Sequence, residues 1–288
     1  MTRALVFAHY DRDGRVDDYV ADALEKYRPF VDCVVFVSAS AARLPPVLEP
    51  LVDCFVPRDN IGYDFCSWRT GLDALGPTDR YDEVIFANDS VYGPLFELGP
   101  VLADRRVADA DMWGMCLSEQ GTKRRGRRAS CPHIQSWFFA MRRPVLESET
   151  FRRFWDSVVP IENKHDIVDR YEIGMTEHFV RAGFRIAALY DARQHGPATL
   201  REIWPHVSWS QPRRSWRNVK KARRLSHNPS ELFPLRLIDA GVPFAKAGIF
   251  RVNHYGLNLN HALRGIRERT AYDVGLIERH LARVGRGA

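Results

Sequence analysis

The chain has 288 residues, 45% hydrophobic and 27% charged, which is enough to bury the core of one large domain. The net charge of +6 indicates an anionic partner: a phosphorylated substrate, anionic lipid or nucleic acid. No stretch approaches the roughly 20 apolar residues of a membrane-spanning helix, and the first residues turn polar too early for a signal peptide. We therefore expect a cytoplasmic protein whose five cysteines are reduced thiols.

Short apolar runs alternate with helical patterns over the first hundred residues, which predicts βαβ units and a mainly parallel sheet. In chain order, we predict strands at 4–8, 33–37, 52–56, 83–87, 112–115, 134–141, 185–189 and 248–252. Predicted helices lie at 16–27, 64–75, 150–159, 171–181, 230–240 and 262–284. With no internal repeat and no long linker, the pattern indicates one α/β domain with a C-terminal elaboration.

The strand predicted at 83–87 runs directly into a polar triplet, Asn88-Asp89-Ser90. Open α/β sheets bind ligands at the carboxyl ends of their strands. Carboxylate and amide oxygens are also the ligands that Mg²⁺ or Mn²⁺ prefers, usually together with substrate phosphates. The triplet therefore indicates a ligand site, and the alternative is an ordinary strand-ending turn.

Several segments together resemble the rhamnan synthesis protein F family of bacterial polysaccharide glycosyltransferases. The matching segments include His9-Tyr10-Asp11, Asn60-Ile61-Gly62-Tyr63-Asp64, Asn88-Asp89-Ser90-Val91-Tyr92-Gly93-Pro94, His133-Ile134-Gln135-Ser136 and Pro243-Phe244-Ala245-Lys246. The resemblance covers residues 4–253 and implies a GT-A-like, Rossmann-type sheet flanked by helices. It implies a catalytic core over 1–200 that binds nucleotide sugar and acceptor. A basic, tryptophan-rich, helical extension over 201–288 would pack on that core.

The resemblance implies an inverting glycosyltransferase that uses a nucleotide-diphosphate sugar, with rhamnose or another deoxyhexose favoured. The acceptor would be a growing cell-surface polysaccharide, such as an O-antigen, or a lipid-linked glycan. One alternative is a catalytically silent scaffold that binds glycan or nucleotide, because the triplet carries a single carboxylate. A basic nucleic-acid-binding protein is the other alternative, although no nucleic-acid-binding motif is present and we expect no such partner.

The resemblance also assigns roles to particular residues. Asp89 is the implied ligand of Mg²⁺ or Mn²⁺, and His254, after the last predicted strand, is a second candidate. The implied donor-site residues are Tyr10, Ser38, Asn60, Gly62, Tyr63, Asp64, Asn88, His133, Gln135 and Lys246. Lys123-Arg124-Arg125 could, like Lys246, neutralise the charge of a leaving diphosphate. Simpler roles stay open: a helix N-cap for Asp64, a turn for Ser38 and a structural role for His133.

Inverting transfer needs a general base for the acceptor hydroxyl. Counting back from Ala182-Gly183 places Glu172 at the catalytic position of the resembling enzymes, and Glu177 is the second candidate. Five residues separate them, about 140° around a helix, so the two should not face one site. The alternative for Glu172 is a carboxylate that stabilises a helix N-terminus.

The segment from Trp204 to Arg224 interleaves tryptophans with arginines. Such a surface is typical of contact with anionic lipid headgroups. It predicts peripheral contact with the inner face of the cytoplasmic membrane, and the alternative is a solvated basic face.

Overall fold

A computed structural model describes residues 1–122, 125, 130–196, 199–222 and 228–285. Within these residues the strands are β1 (Arg3–His9), β2 (Cys33–Ser38), β3 (Cys54–Pro57), β4 (Glu83–Asn88), β5 (Val91–Tyr92), β6 (Met112–Gln120), β7 (Ser130–Ile134), β8 (Phe138–Arg142), β9 (Ile186–Asp191) and β10 (Ala245–Lys246). The helices of the first 200 residues are α1 (Asp18–Tyr27), α2 (Tyr63–Leu75), α3 (Leu98–Leu102), α4 (Arg143–Leu146), α5 (Glu149–Asp156), α6 (Lys164–Ile167), a π-helix (Val168–Ile173) and α7 (Gly174–Arg181). They are followed by α8 (Leu200–Ile203), α9 (Pro212–Ala222), α10 (Pro229–Leu232), α11 (Pro234–Asp239), α12 (Ala247–Arg251), α13 (Leu259–Arg269) and α14 (Val274–Val284).

The main sheet has the strand order β3-β2-β1-β4-β8-β6-β7, with β9 also paired to β6. Strands β3, β2, β1 and β4 run parallel, as do β6 and β9, whereas β8 is antiparallel to both of its neighbours. The predicted α/β class, with a mainly parallel sheet flanked by helices, is confirmed. After β1 the chain builds β2 and β3 on one side and β4 on the other, so the strand order reverses between β1 and β4.

The central strands are buried on both faces, which explains their nearly continuous apolar sequences. In β1, for example, Leu5 and Phe7 belong to one hydrophobic cluster, while Ala4 and Val6 belong to another. Successive side chains of a strand point to opposite faces, so each cluster fills the space between the sheet and one helical layer.

Several predicted elements differ from the structure. The strand predicted at 134–141 is two strands, β7 and β8, joined by a turn at 135–137. The helix predicted at 230–240 is split into α10 and α11, and the helix predicted at 262–284 is split into α13 and α14. The strand predicted at 248–252 is helix α12, because a short apolar run fits both a strand and a buried helix.

The final helix packs against the first one. Arg283 of α14 donates a hydrogen bond to Asp13 at 2.6 Å and is also paired with Asp11 and Asp17. Its neighbour His280 contacts the Tyr92 hydroxyl through Nδ1 at 2.7 Å. None of the described helices is long and apolar enough to cross a lipid bilayer. The boundary predicted at residue 200 stays a prediction.

Candidate functional site

A cavity of about 200 Å³ lies where β1 and β4 end, at the reversal of the strand order. Crevices at this position are where open α/β sheets bind ligands, because the connections on either side diverge and leave a gap. Five residues predicted from the sequence line this cavity: Tyr10, Asn60, Tyr63, Asp64 and Asp89. The fold thus brings together side chains from three separate segments.

The turn before α2 delivers three of these side chains. Gly62 has a φ of +77°, and a Cβ at this position would overlap the sulfur of Cys66. A glycine is therefore required here, since other residues would meet both backbone strain and a clash. Helix α2 begins at the next residue, which turns Tyr63 and Asp64 towards the cavity.

Asp89 is the most perturbed carboxyl of the cavity. Burial raises its pKa to about 8, against the opposing effects of a hydrogen bond from the Tyr10 amide at 2.9 Å and the charge of Arg251. His9 lies 3.9 Å away but does not balance the charge, because burial lowers the pKa of His9 to about 4. The protein by itself therefore disfavours the ionised form of Asp89.

Asp64 faces the same cavity and has a similar character. Burial raises the pKa of Asp64, while the charge of Lys246 and a 2.9 Å hydrogen bond from the Asn88 amide oppose the shift. Gly62 occupies the N-cap position of α2, so Asp64 does not cap the helix. Lys246 donates to the Ser90 hydroxyl at 3.3 Å, and burial lowers the pKa of its ammonium group.

These side chains fit a divalent cation that is shared with a phosphorylated ligand. Mg²⁺ is commonly held by one or two carboxylates together with substrate phosphates, which matches the pair Asp64 and Asp89. Among the described residues, no group of three or more His, Cys, Asp or Glu could hold a metal ion alone. His254 is exposed, and its carbonyl accepts a hydrogen bond from Arg214 outside the cavity lining.

The sequence patterns did not single out Arg251 and His280, which complete the cavity. Arg251 lies at the end of α12, and its positive charge acts on the pKa of Asp89. Within the described part of the chain, its guanidinium makes no hydrogen bond or ion pair, so it is available to an anion. Neither residue belongs to a local motif, and only the packing of α12 and α14 brings them here.

A second polar cluster surrounds Glu172 on the π-helix. The Ser136 amide donates to Glu172 Oε2 at 2.9 Å, the Ser136 hydroxyl donates to the same oxygen, and His133 Nε2 lies 3.6 Å from Oε1. Burial by itself would raise the pKa of Glu172, but His133 and Ser136 outweigh it and lower the pKa to about 2. The pKa of His133 is raised by Glu172, despite burial. The two form an ion pair when His133 is protonated.

The neighbouring predicted residues also have partners within the protein. Buried Gln135 donates to Asn228 at 2.8 Å and accepts from the Trp137 ring nitrogen at 3.0 Å. Glu177 is paired instead with Arg125 and Arg181, so the two glutamates have separate partners. That the two glutamates do not face one site stays a prediction.

Two further predictions concern residues outside both clusters. Ser38 is fully buried, where its hydroxyl contacts His9 Nδ1 at 2.9 Å and accepts from the Ala41 amide at 2.8 Å. These bonds fit the turn alternative. In the basic loop, Arg125 is bonded to Asp169, whereas Lys123 and Arg124 lie outside the described residues.

Known proteins show similarity over different shares of the chain. The uncharacterized protein y4gN of Sinorhizobium fredii is 27% identical over 47% of this chain, which spans about a third (34%) of that protein. The virulence protein VirA of Vibrio anguillarum is 24% identical over 88% of this chain and 81% of its own length.

Among solved structures, glucosyl-3-phosphoglycerate synthase from Mycobacterium tuberculosis, in complex with Mn²⁺, uridine-diphosphate and glucosyl-3-phosphoglycerate, aligns with 76% of this chain and 79% of its own. The identity is 13% and the TM-score is 0.35, too low to carry that enzyme's ligands over to this chain. A family model also matches the chain. The model for rhamnan synthesis protein F matches residues 34–209, which is more than half of the chain. The chain therefore belongs to the rhamnan synthesis protein F family.

Proposed function

We propose that this protein is a nucleotide-sugar-dependent glycosyltransferase whose donor binds in the cavity between β1 and β4. One observation carries the proposal: two carboxyls with raised pKa, Asp64 and Asp89, share the cavity with Arg251. Uncompensated charges of both signs suit a ligand that brings a diphosphate and a cation together. Family membership supports the same reaction class.

The leaving group of such a transfer is a nucleoside diphosphate, whose developing charge must be neutralised. Asp64 and Asp89 would hold Mg²⁺ or Mn²⁺, which when bound would supply positive charge to the diphosphate. Arg251 adds a fixed positive charge on the same cavity, and Lys246 lies close enough to act on the pKa of Asp64. Asn60 and Tyr63, which line the same cavity, would contact the nucleoside.

Two roles are open to Glu172, and they give different pH profiles. As the general base of an inverting transfer, Glu172 would need to take a proton, but its low pKa makes it a weak base in this state. As a positioning residue, it would hold Ser136 and the buried charge of His133 in place. A base would shift the acidic limb of the kcat profile in Glu172→Asp, whereas a positioning residue would leave that limb unchanged.

The sugar and the acceptor rest on the family relationship. A donor carrying rhamnose or another deoxyhexose, and a cell-surface polysaccharide or lipid-linked glycan as acceptor, are our proposals from the family description. A few contacts in the pocket can change the sugar within one fold, so these identities need direct measurement. Action at the inner face of the cytoplasmic membrane is part of the same proposal.

Thermal unfolding in the presence of nucleotide sugars and nucleoside diphosphates, with and without Mn²⁺, tests the proposal. A donor that binds the folded state must raise the melting temperature. We expect the shift in the wild type and in Asp73→Asn, an exposed carboxylate on α2, but not in Asp89→Asn. No shift with any donor would refute the proposal. Binding without turnover would instead favour the catalytically silent scaffold. Binding of random-sequence nucleic acid alone would favour the nucleic-acid-binding protein.

A further inference from the structure

Helix α9 lies at the protein surface, yet it exposes a tryptophan and buries two polar side chains. Among the α9 residues whose side chains the structure describes, the buried ones are polar: the Ser215 hydroxyl donates to the Gly256 carbonyl at 2.7 Å, and the Asn218 amide donates to the Tyr255 carbonyl. Trp216, in contrast, is 59% exposed. Surface helices normally turn their apolar residues inwards, so this inverted arrangement indicates that the outer face meets something other than water.

The same outer face carries positive charge. At 100° per residue, Arg213, Trp216 and Arg217 fall within about 100° of one another around the helix axis. Both arginines are exposed. The surrounding residues 203–230 contain no Asp or Glu, whereas seven of them are Lys or Arg. Trp216 therefore lies between two exposed arginines, Arg213 and Arg217, in a stretch of the sequence without carboxylates.

Two more tryptophans of this region are also exposed. Trp204 is 60% exposed and Trp209 is 71% exposed, and their rings meet edge to face at 5.6 Å. A packed tryptophan side chain buries roughly 150–250 Å². Three exposed tryptophans therefore leave a large apolar area in contact with water. The contact between the two rings leaves most of each one accessible.

We propose that Trp204, Trp209 and Trp216, together with Arg213 and Arg217, form a docking surface for the anionic headgroups of a lipid bilayer. Tryptophan favours the interfacial zone, where its ring contacts acyl chains and its N–H remains hydrated, while arginine binds lipid phosphate. The 11 residues of α9 suit a helix that lies along the membrane surface. Nucleic acid would also attract the arginines, and it is an outcome of the test below.

The docking surface is joined to the cavity by a short connection. The Arg214 guanidinium donates to the His254 carbonyl at 3.1 Å, and Ser215 and Asn218 hold the next two residues. This anchored segment directly follows α12, which carries Arg251 of the cavity. A bilayer bound at α9 would thus be linked, through residues 254–256, to α12 and to Arg251 in the cavity. The inference rests on α9 and the exposed tryptophans, and it does not depend on which donor the cavity binds.

Flotation of the full chain with lipid vesicles tests the inference. We expect binding to vesicles that mix phosphatidylcholine with phosphatidylglycerol, and much weaker binding to phosphatidylcholine alone. Arg213→Glu/Arg217→Glu and Trp209→Ala/Trp216→Ala should each weaken binding on the order of tenfold or more. The matched control is Arg152→Glu/Arg153→Glu, which changes the same charge at two exposed arginines of α5 and should bind like the wild type.

A second measurement needs no variant. Tryptophan fluorescence of the wild type should shift to shorter wavelength on anionic vesicles and be quenched by lipids with brominated acyl chains. Equal binding to both vesicle types, unchanged binding by the tryptophan variant, or an unquenched signal would overturn the proposal. Binding of random-sequence RNA that competes with vesicles and needs only the arginines would overturn it in favour of nucleic acid. Asp89→Asn should keep vesicle binding, so this test and the donor test fail separately.

Discussion

The cavity between β1 and β4 and the cluster around Glu172 use similar residues and reach opposite electrostatic states. Each pairs a largely buried carboxyl with a histidine, His9 beside Asp89 and His133 beside Glu172. The pKa of Asp89 is raised to about 8, whereas that of Glu172 is lowered to about 2. Glu172 receives two hydrogen bonds from Ser136 and the charge of His133, but His9 is neutral and Asp89 receives one amide. The two carboxyls therefore differ in the partners that the protein gives them and not in residue type. A buried carboxyl with few internal partners is a candidate ligand site, whereas one with several is part of the protein's own packing.

The strongest test of this comparison removes the charge of the cavity while keeping its shape. In Asp89→Asn we expect turnover of the nucleotide sugar to fall about 100- to 1000-fold. The cation would lose one of its carboxylate ligands, so the charge that develops on the diphosphate would be neutralised less well. Initial rates at saturating Mn²⁺ measure the change, with Asp73→Asn as the control. Turnover within a factor of about two of the wild type would show that Asp89 is not part of the site.

The corresponding substitution in the cluster around Glu172 should lower the stability of the protein. Glu172→Gln leaves the raised-pKa His133 without its carboxylate in a buried position, which should cost about 2–4 kcal/mol in the free energy of unfolding. The carboxylate's contribution is present above its unfolded pKa of 4.5 and is lost as pH falls towards about 2. The contribution of His133 is present below its unfolded pKa of 6.5 and is lost as pH rises through its raised value.

Urea unfolding at several pH values measures this effect, and the difference between wild type and variant should be largest between pH 4.5 and 6.5. A double variant that also carries His133→Gln should recover part of the loss, since it removes the unpaired charge. Equal stability of Glu172→Gln and the wild type would show that the cluster is not an ion pair.

A smaller effect is expected from the cationic side of the cavity. Arg251→Ala should weaken binding of nucleoside diphosphates by about tenfold to a hundredfold, which corresponds to one lost charged hydrogen bond. Binding of the matching nucleosides should not change, because they carry no phosphate. Calorimetric titration distinguishes the two, with Arg264→Ala at an exposed position of α13 as the control. Equal losses for nucleoside and diphosphate would contradict this assignment.

The last prediction concerns the cation-free protein and its response to pH. The pKa of Asp89 is higher in the folded state than the unfolded value of 3.8, so folding disfavours its ionised form. The free energy of unfolding should therefore decrease as pH rises from 3.8 towards about 8. Asp89→Asn should flatten this part of the pH profile. An identical slope in both proteins would show that Asp89 is charged without penalty.

The strand ends of the site could be predicted from sequence because the pattern is local. Asn88 and Asp89 follow an apolar run, and parallel strands end at one edge of the sheet, so their position follows from the predicted sheet. Arg251 and His280 could not be predicted in this way, since long-range packing of α12 and α14 places them in the cavity. The contact between His133 and Glu172 could not be predicted either, because a sequence shows donors and acceptors but not which partners they find.

The contact of α14 with the first loop sets an order of events during synthesis. His280 lines the cavity, and Arg283 binds Asp11, Asp13 and Asp17 beside it. A ribosome that has reached residue 270 has made every other lining residue, but not the helix that closes this wall. Since domains generally fold as units, a nascent protein that still lacks α14 should not have a finished binding site. Ligand binding should therefore need α14, and removal of α14 should abolish it even if the sheet has formed.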